Sequence, residues 1–319
     1  MLWPASVAFG AAARLRRLAY ALRLAPSHRV DLPVIVVGNL TVGGSGKTPL
    51  VLWIAEHLHA SGLAPAIVSR GYGGAAEAPR EATIASDPAE VGDEPMVLSR
   101  RSGCPVWVGP DRVAVIAALR SQHPDCNVLI LDDGLQHYRL ARDVEIAVVD
   151  GRGFGNGFLL PAGPLREPPG RLRSVSAAIA HDVDKAGLQR HAGQTPLFAM
   201  TLQGEEAHRA TDARDRRSLR TFSGQRVHAV AGIGDPARFF HYLGRYGVQP
   251  VAHPFPDHHP FVAEDLEFGD DDPVLMTEKD AVKCKRFAKP HHWVLPVTAA
   301  PEPSFGKWLT RELDRIKRT

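Results

Sequence analysis

"VIVVGNLTVGGSGKTPLVLWIAEHL", Val34 to Leu58, is the stretch that decides the fold. A continuous β-branched run gives way to a glycine-rich turn, and Lys47-Thr48 then opens a segment with Leu50, Ile54 and Leu58 at helical spacing. Strand, glycine-rich turn and helix in that order form a phosphate-binding loop: glycines let backbone N–H groups curl around phosphate oxygens, and the helix N-terminus adds a positive dipole. Thr41, Val42, Gly43, Gly44, Ser45 and Gly46 are expected to wrap the phosphates of ATP, with Lys47 reaching the β- and γ-phosphates and the Thr48 hydroxyl on Mg²⁺. Thr41 stands where G-x-x-x-x-G-K-[ST] has its first glycine. A plain strand-to-helix turn carrying a surface lysine is the alternative.

Such a loop needs a further acid for the metal, usually at the end of another apolar strand. "NVLILDDGLQH", Asn127 to His137, supplies Asp132 and Asp133. Two carboxylates leaving a buried strand are costly unless a positive partner waits there, and a metal-bound triphosphate is such a partner. A solvated "DDG" turn is the alternative.

Working outward, short β-branched runs alternate with helical patterns, as in an α/β fold with a mostly parallel sheet flanked by helices. The strands are predicted at Pro33–Gly38, Pro65–Ser69, Val128–Leu131, Glu145–Val149, Ala177–Ala180 and Pro196–Met200, with a helix over Pro49–Ser61. Gln203 to Gln225 is polar with few apolar anchors, and a second α/β pattern follows: Val227–Ile233, Val274–Met276, Trp293–Val297 and a basic C-terminal helix. The expected organisation is an N-terminal helix over 1–30, a phosphate-loop domain over 31–205, a linker over 206–225 and a smaller C-terminal α/β domain over 226–319. Gly151–Arg173, rich in Gly, Pro and Arg, is too long for a simple connector and reads as functional.

Composition bounds the remainder. The chain has 319 residues, 44% hydrophobic and 23% charged, with a net charge of +3, too small to argue for nucleic acid. Cys104, Cys126 and Cys284 are widely spaced, which argues against a disulfide framework and for a reducing compartment. No apolar run is long enough to cross a bilayer, and the arginines follow the apolar N-terminal residues, unlike a signal peptide. Residues 5 to 25 favour a helix with Leu15, Leu18, Leu22 and Ala25 on one face, Arg16 and Arg23 on another, and Trp3 and Phe9 as possible anchors. A basic amphipathic helix suits an anionic membrane surface, and a helix packed on the phosphate-loop domain is the alternative. A GTPase or ATPase switch acting through a protein partner is a further possibility for the loop, although "TEKD" lacks the spacer of [NT]-K-x-D.

The chain resembles the tetraacyldisaccharide 4′-kinase family, which phosphorylates a glucosamine-disaccharide lipid. The resemblance rests on "NLTVGGSGKTP", "SRGYGG" (Ser69–Gly74), "GDEP" (Gly92–Pro95), "VGPDR" (Val108–Arg112), "LDDGLQH" (Leu131–His137), "LLPAGPLRE" (Leu159–Glu167), "FPDHH" (Phe255–His259) and "TEKDAVK" (Thr277–Lys283), in order along most of the chain. It implies phosphorylation of the 4′-hydroxyl of a tetraacyldisaccharide 1-phosphate from ATP and Mg²⁺ in lipid A biosynthesis, with the active site between two α/β domains. It implies further that Asp93 and His258 are catalytic beside Lys47, and that Glu167 joins Thr48, Asp132 and Asp133 around the metal. Arg112 is expected to balance phosphate charge, and Arg70, Tyr72, Glu94, Gln136 and His137 to meet substrate. Surface histidines or a zinc site with Asp257 are the alternatives for His253, His258 and His259. A glycolipid acceptor implies peripheral contact with the cytoplasmic face of the inner membrane; nothing points to nucleic acid or an obligate protein partner.

Overall fold

The computed structural model describes residues 2–317; Met1, Arg318 and Thr319, at the ends of the first and last expected domains, lie outside that range. Helix α1 (Trp3–Ala21) precedes strand β1 (Val34–Asn39), whose six residues are all buried. The chain continues through α2 (Lys47–Ala60), β2 (Pro65–Ser69), β3 (Arg80–Glu81), α3 (Pro88–Val91), α4 (Asp93–Arg101), β4 (Val106–Val108), α5 (Arg112–Gln122), β5 (Val128–Asp132) and β6 (Val144–Asp150). Then come β7 (Ala177–His181), α6 (Lys185–Ala192), β8 (Leu197–Gln203), β9 (Glu206–Arg209), β10 (Arg216–Ser218), β11 (Arg226–Ala231), α7 (Pro236–Gly244) and β12 (Gln249–Pro254). The last elements are β13 (Val274–Thr277), α8 (Glu278–Cys284), β14 (His292–Leu295), β15 (Thr298–Pro301) and α9 (Pro303–Lys317).

Two sheets form. The larger has nine strands in the order β15-β8-β7-β6-β1-β5-β2-β4-β3, parallel except for its two edge strands. Its interior strands read as continuous apolar runs because helices cover both faces. The strand order departs in both directions from β1, and a crevice opens at the carboxyl ends of parallel strands at such a switch point. The phosphate loop leaves β1 there, and the parallel register pairs Val37 with Asp132, which sets the acid of β5 beside it.

The smaller sheet has six strands in the order β10-β9-β14-β13-β11-β12. Two of them, β9 and β10, lie inside the stretch expected to be a linker. Their alternation is masked by charge: Ala207 is fully buried while Glu206, Arg216 and Arg217 face water, as suits the edge of a sheet. The chain also returns to the larger sheet after β14, since β15 pairs antiparallel with β8 and α9 packs on α2.

That return is held by one aromatic knot. Phe305 of α9 is fully buried, with ring centroids 5.4 Å from Trp53, 5.3 Å from Phe198 and 5.7 Å from Trp308. Phe305→Ala is expected to cost about 3–5 kcal/mol in urea unfolding; a loss below about 1 kcal/mol would mean that α9 does not stabilise the larger sheet.

Candidate active site

The phosphate loop is shaped from outside by side chains on two strands and on the turn after a third. Gly46 caps α2 at φ 86°, and a Cβ there would lie 2.6 Å from Nδ1 of His181, so glycine is required on both counts. His181, fully buried at the end of β7, donates from Nδ1 to the Ser45 carbonyl at 2.9 Å. Arg152 is clamped on the buried Asp150 of β6 and donates to the Gly44 carbonyl at 2.7 Å, while Asn39 of β1 donates to the Gly43 carbonyl at 3.2 Å. Three successive carbonyls are thus engaged away from the phosphate side, a geometry suited to presenting amide hydrogens to an anion. Thr41 bridges to Leu165, and Val42 N–H donates to the Pro164 carbonyl at 2.9 Å, so the Gly151–Arg173 segment braces the loop.

Charge is concentrated behind the loop. Lys47 is buried, and its Nζ lies 3.6 Å from Oδ1 of Asp133. Asp133, in the left-handed region at φ 51°, takes two hydrogen bonds from Arg166 at 3.0 and 2.8 Å. Asp132 is 1% exposed, and neither carboxylate oxygen has a hydrogen-bond partner. Burial, followed by the negative charge of Glu94, raises its pKa well above the usual carboxylate range, only partly offset by Lys47 and Arg112. An orphaned buried carboxylate beside a phosphate loop fits a divalent cation. Glu167 is differently placed: Tyr138 OH donates to one oxygen, Gln136 Nε2 to the other at 3.0 Å, and Arg171 lies 3.8 Å away. Its carboxylate is already satisfied, which leaves Asp132 as the open oxygen donor of the set.

Two distant segments meet in front of α4. Asp93 sits in the first turn of that helix, where the Glu94 N–H donates to its Oδ1 at 2.8 Å. The same carboxylate accepts from Nδ1 of His258 at 3.0 and 3.1 Å, across 165 positions of sequence. Burial would raise the Asp93 pKa, but His258, Lys279 and Lys283 together hold it below the ordinary value. For His258 burial acts downward, and the Asp93 hydrogen bond and charge override it, so its pKa is raised. Lys279 Nζ contacts Glu94 at 3.3 Å, Asp257 at 3.1 Å and the His258 Nε2 at 3.4 Å. His253 and His259 turn elsewhere, to His228 and Asp265 at 2.9 Å each, so the three histidines do not converge as a zinc site would require.

Two cavities meet at Lys47. One, about 710 Å³, lies between the sheets and is lined by Gly44–Pro49, by Tyr242 and Tyr246, and by Thr277–Lys279. The other, about 820 Å³, is lined by Arg70, Tyr72, Arg112, Gln136, His137 and His258. Lys47, Gly44 and Glu94 border both. Arg112 and Thr48 therefore border different cavities. Burial, with Arg70 next to it, lowers its pKa to about 10, so it remains a cation near neutral pH. Burial and the charges of Arg112 and Arg142 push His137 down to about 4, which leaves a neutral imidazole in the cavity wall. Phe9 and Arg16 of α1 also line this second cavity, so Phe9 faces the cleft instead of the outer surface.

A family profile described as tetraacyldisaccharide-1-P 4′-kinase matches residues 1–314. The chain belongs to the tetraacyldisaccharide 4′-kinase family. The tetraacyldisaccharide 4′-kinase of Azoarcus sp. is 51% identical over 94% of this chain and 87% of its own length. That of Alkalilimnicola ehrlichii is 50% identical over 99% and 92%. A crystal structure of the Aquifex aeolicus family member LpxK in complex with ATP superposes with a TM-score of 0.80 at 26% identity, covering 98% of both chains. Membership makes the chain a kinase that uses ATP.

For a tetraacyldisaccharide 4′-kinase, several structural supports escaped the sequence reading. His181 on β7, Asn39 on β1 and Arg152 in the turn after β6 each hold the loop by a single side chain, and no local pattern marks them. Arg166 and Lys279 lie within quoted motifs, "PLRE" and "TEKD", and only the fold reveals their partners.

Asp132→Asn removes a buried, unpaired charge. It is expected to raise the stability of the ligand-free protein by about 1–3 kcal/mol at neutral pH while abolishing stabilisation by Mg²⁺ with a non-hydrolysable ATP analogue, read by thermal unfolding. The sign follows from the raised pKa: the folded state favours the protonated acid, so stability falls as pH rises above the unfolded value. An unchanged response to Mg²⁺ would remove Asp132 from the metal.

Proposed function

We propose that the chain transfers the γ-phosphoryl group of ATP to the 4′-hydroxyl of a tetraacyldisaccharide 1-phosphate in lipid A biosynthesis, with His258 and Asp93 receiving the hydroxyl proton. The supporting observation is that Lys47 stands at the junction of two cavities, one against the phosphate loop and one against the His258–Asp93 pair. Donor and acceptor entering from opposite sides would meet in line across that lysine. The smaller cavity suits ATP, with Ser45, Gly46 and Thr48 about the phosphates. The larger, with Arg70, Tyr72, Glu94, Arg112, Gln136 and His137, suits an anionic sugar.

Mg²⁺, held by Asp132 and Thr48 with Asp133 nearby, would neutralise charge on the phosphates. Lys47 is the protein's own contribution to that neutralisation. Asp93 accepts from Nδ1 of His258, which fixes the tautomer and leaves Nε2 as the proton acceptor. Lys279 reaches that nitrogen at 3.4 Å, and the acceptor hydroxyl takes its place while the lysine keeps Glu94 and Asp257. The proton leaves the 4′-oxygen as its bond to phosphorus forms, and ADP departs with the electrons of the broken P–O bond.

The substrate's acyl chains call for a membrane surface. Among the described residues no helix is long and apolar enough to cross a bilayer. Helix α1 exposes Trp3, Val7, Leu15 and Leu18, and Leu22 and Leu24 follow just after it. Arg14, Arg16 and Arg23 are exposed alongside. The same helix lines the acceptor cavity through Phe9, Ala12 and Ala13, so one element would rest on the anionic cytoplasmic leaflet and receive the headgroup from it.

γ-³²P transfer from ATP to the disaccharide lipid in micelles is expected to fall about 10²-fold or more in Lys47→Ala and Asp93→Ala. Rapid acceptor-free hydrolysis with no labelled lipid would favour a nucleotide switch instead. The ascending limb of kcat/KM against pH is expected above the ordinary histidine value of about 6.5, because activity needs neutral His258 and its pKa is raised. Asp93→Asn should move that limb down; an unmoved limb would remove His258 from proton transfer. Replacing Leu15, Leu18 and Leu22 with Ser is expected to reduce binding to anionic liposomes at least about tenfold, given about 1.5–3 kcal/mol per buried leucine. Unchanged binding would refute the membrane role of α1.

A further inference from the structure

Lys283 occupies a position that the reaction as described does not use. It lines neither of the two cavities. Its Nζ lies 3.0 Å from Oδ1 of Asp280 and 3.6 Å from Oδ2 of Asp93, and the three side chains are 11%, 0% and 3% exposed. The ammonium group also lies over Phe261, whose ring centre is 5.0 Å from Nζ. Asp280 is fixed in turn, since its Oδ2 accepts from the Thr277 hydroxyl at 2.6 Å and from the Gly232 N–H at 3.0 Å. The Gly232 carbonyl then accepts from the His258 backbone N–H at 3.3 Å. The contacts close a ring from Asp93 through His258, Gly232, Asp280 and Lys283 back to Asp93.

We infer that Lys283 is a positioning residue for the proton-accepting pair: it ties α8 to the Asp93 carboxylate and fixes that group against Nδ1 of His258. The inference rests on the reading that Asp93 and His258 handle the proton. Two routes then set the pair's geometry. The backbone of His258 is held through Gly232, and the carboxylate of Asp93 is held through Lys283, with Asp280 common to both. A neutral residue at 283 would release only the second route.

The electrostatic consequence has a definite sign. The charged groups facing Asp93 are His258 from the segment after β12, Lys279 and Lys283 from α8, and Glu94 on its own helix, with Asp257 and Asp280 paired to the lysines. Removing the Lys283 cation favours the protonated form of the pair whichever member carries the proton. The ascending limb of the pH profile therefore moves to higher pH.

The experiment compares Lys283→Gln and Lys283→Arg in the full chain, each also combined with Asp93→Asn, with kcat and KM for ATP measured across pH. Lys283→Gln is expected to lower kcat about tenfold, to leave KM for ATP within about twofold, and to raise the limb by about half a pH unit or more. Lys283→Arg should restore most of the rate and the wild-type limb. In the Asp93→Asn background the further loss from Lys283→Gln should shrink below about twofold, because the residue acts through that carboxylate. A Lys283→Gln profile that superimposes on wild type, or an equal loss in the Asp93→Asn background, would overturn the inference. Full activity of Asp93→Asn alone would instead overturn the reading of the pair. Should Lys283→Gln fail to fold, Lys283→Met with Asp280→Asn leaves no unpaired buried charge and is judged by the same limb and rate.

Discussion

The constraint on which the site depends is the burial of charge at the carboxyl ends of parallel strands. Lys47, Asp132, Asp133 and Asp93 are all withdrawn from water to some degree, and Asp132 has no hydrogen-bond partner. Leaving such groups unpaired costs several kcal/mol each. The protein offsets most of this with Arg166 on Asp133 and with His258 and Lys283 on Asp93, and leaves a deficit at one carboxylate. That deficit is where a cation gains the most on binding. On the proposed reading, affinity for a metal–nucleotide complex would be stored as instability in the ligand-free protein.

The second sheet matters through what its loops bring to the first. The segment after β11 approaches the phosphate loop so closely that a Cβ on Gly234 would lie 2.8 Å from the Gly44 nitrogen. The segment after β12 delivers His258, and α8 delivers Lys279 and Lys283. None of these groups belongs to the larger sheet, yet all act on its residues. Pairing β15 with β8 and packing α9 on α2 ties the smaller sheet to the larger from its far end, which limits how freely the two separate.

Legibility in the sequence followed the range of the interactions. The phosphate loop and the "DDG" acids were readable because strand, turn and helix are contiguous and each needs particular residue types at fixed spacing. The pairing of Asp93 with His258 depends on two chain segments meeting in space, and only resemblance to a family linked them. The β9–β10 hairpin was hidden for a different reason: edge strands keep water on one side and charge along the rim, so Gln203–Gln225 looks like a linker although Ala207 is fully buried. His181 shows a third kind of concealment. A histidine ending an apolar strand carries no signal of its own, and its role exists only because Gly46 leaves space for the ring.

The placement of α1 connects chemistry to location. An ordinary surface helix would bury its apolar stripe, but here leucines remain outside while Ser6 turns inward to donate to the Leu159 carbonyl at 2.7 Å. The inward face instead contributes Phe9, Ala12 and Ala13 to a cavity whose opposite wall carries Arg70, Arg112 and His258. A water-soluble acceptor would require no apolar exterior next to its own binding cavity. An acceptor with a polar head and acyl tails requires both, with the boundary between them close to the reacting hydroxyl. On the proposed reading the helix would provide that boundary, and the reaction would proceed without drawing the acyl chains fully out of the membrane.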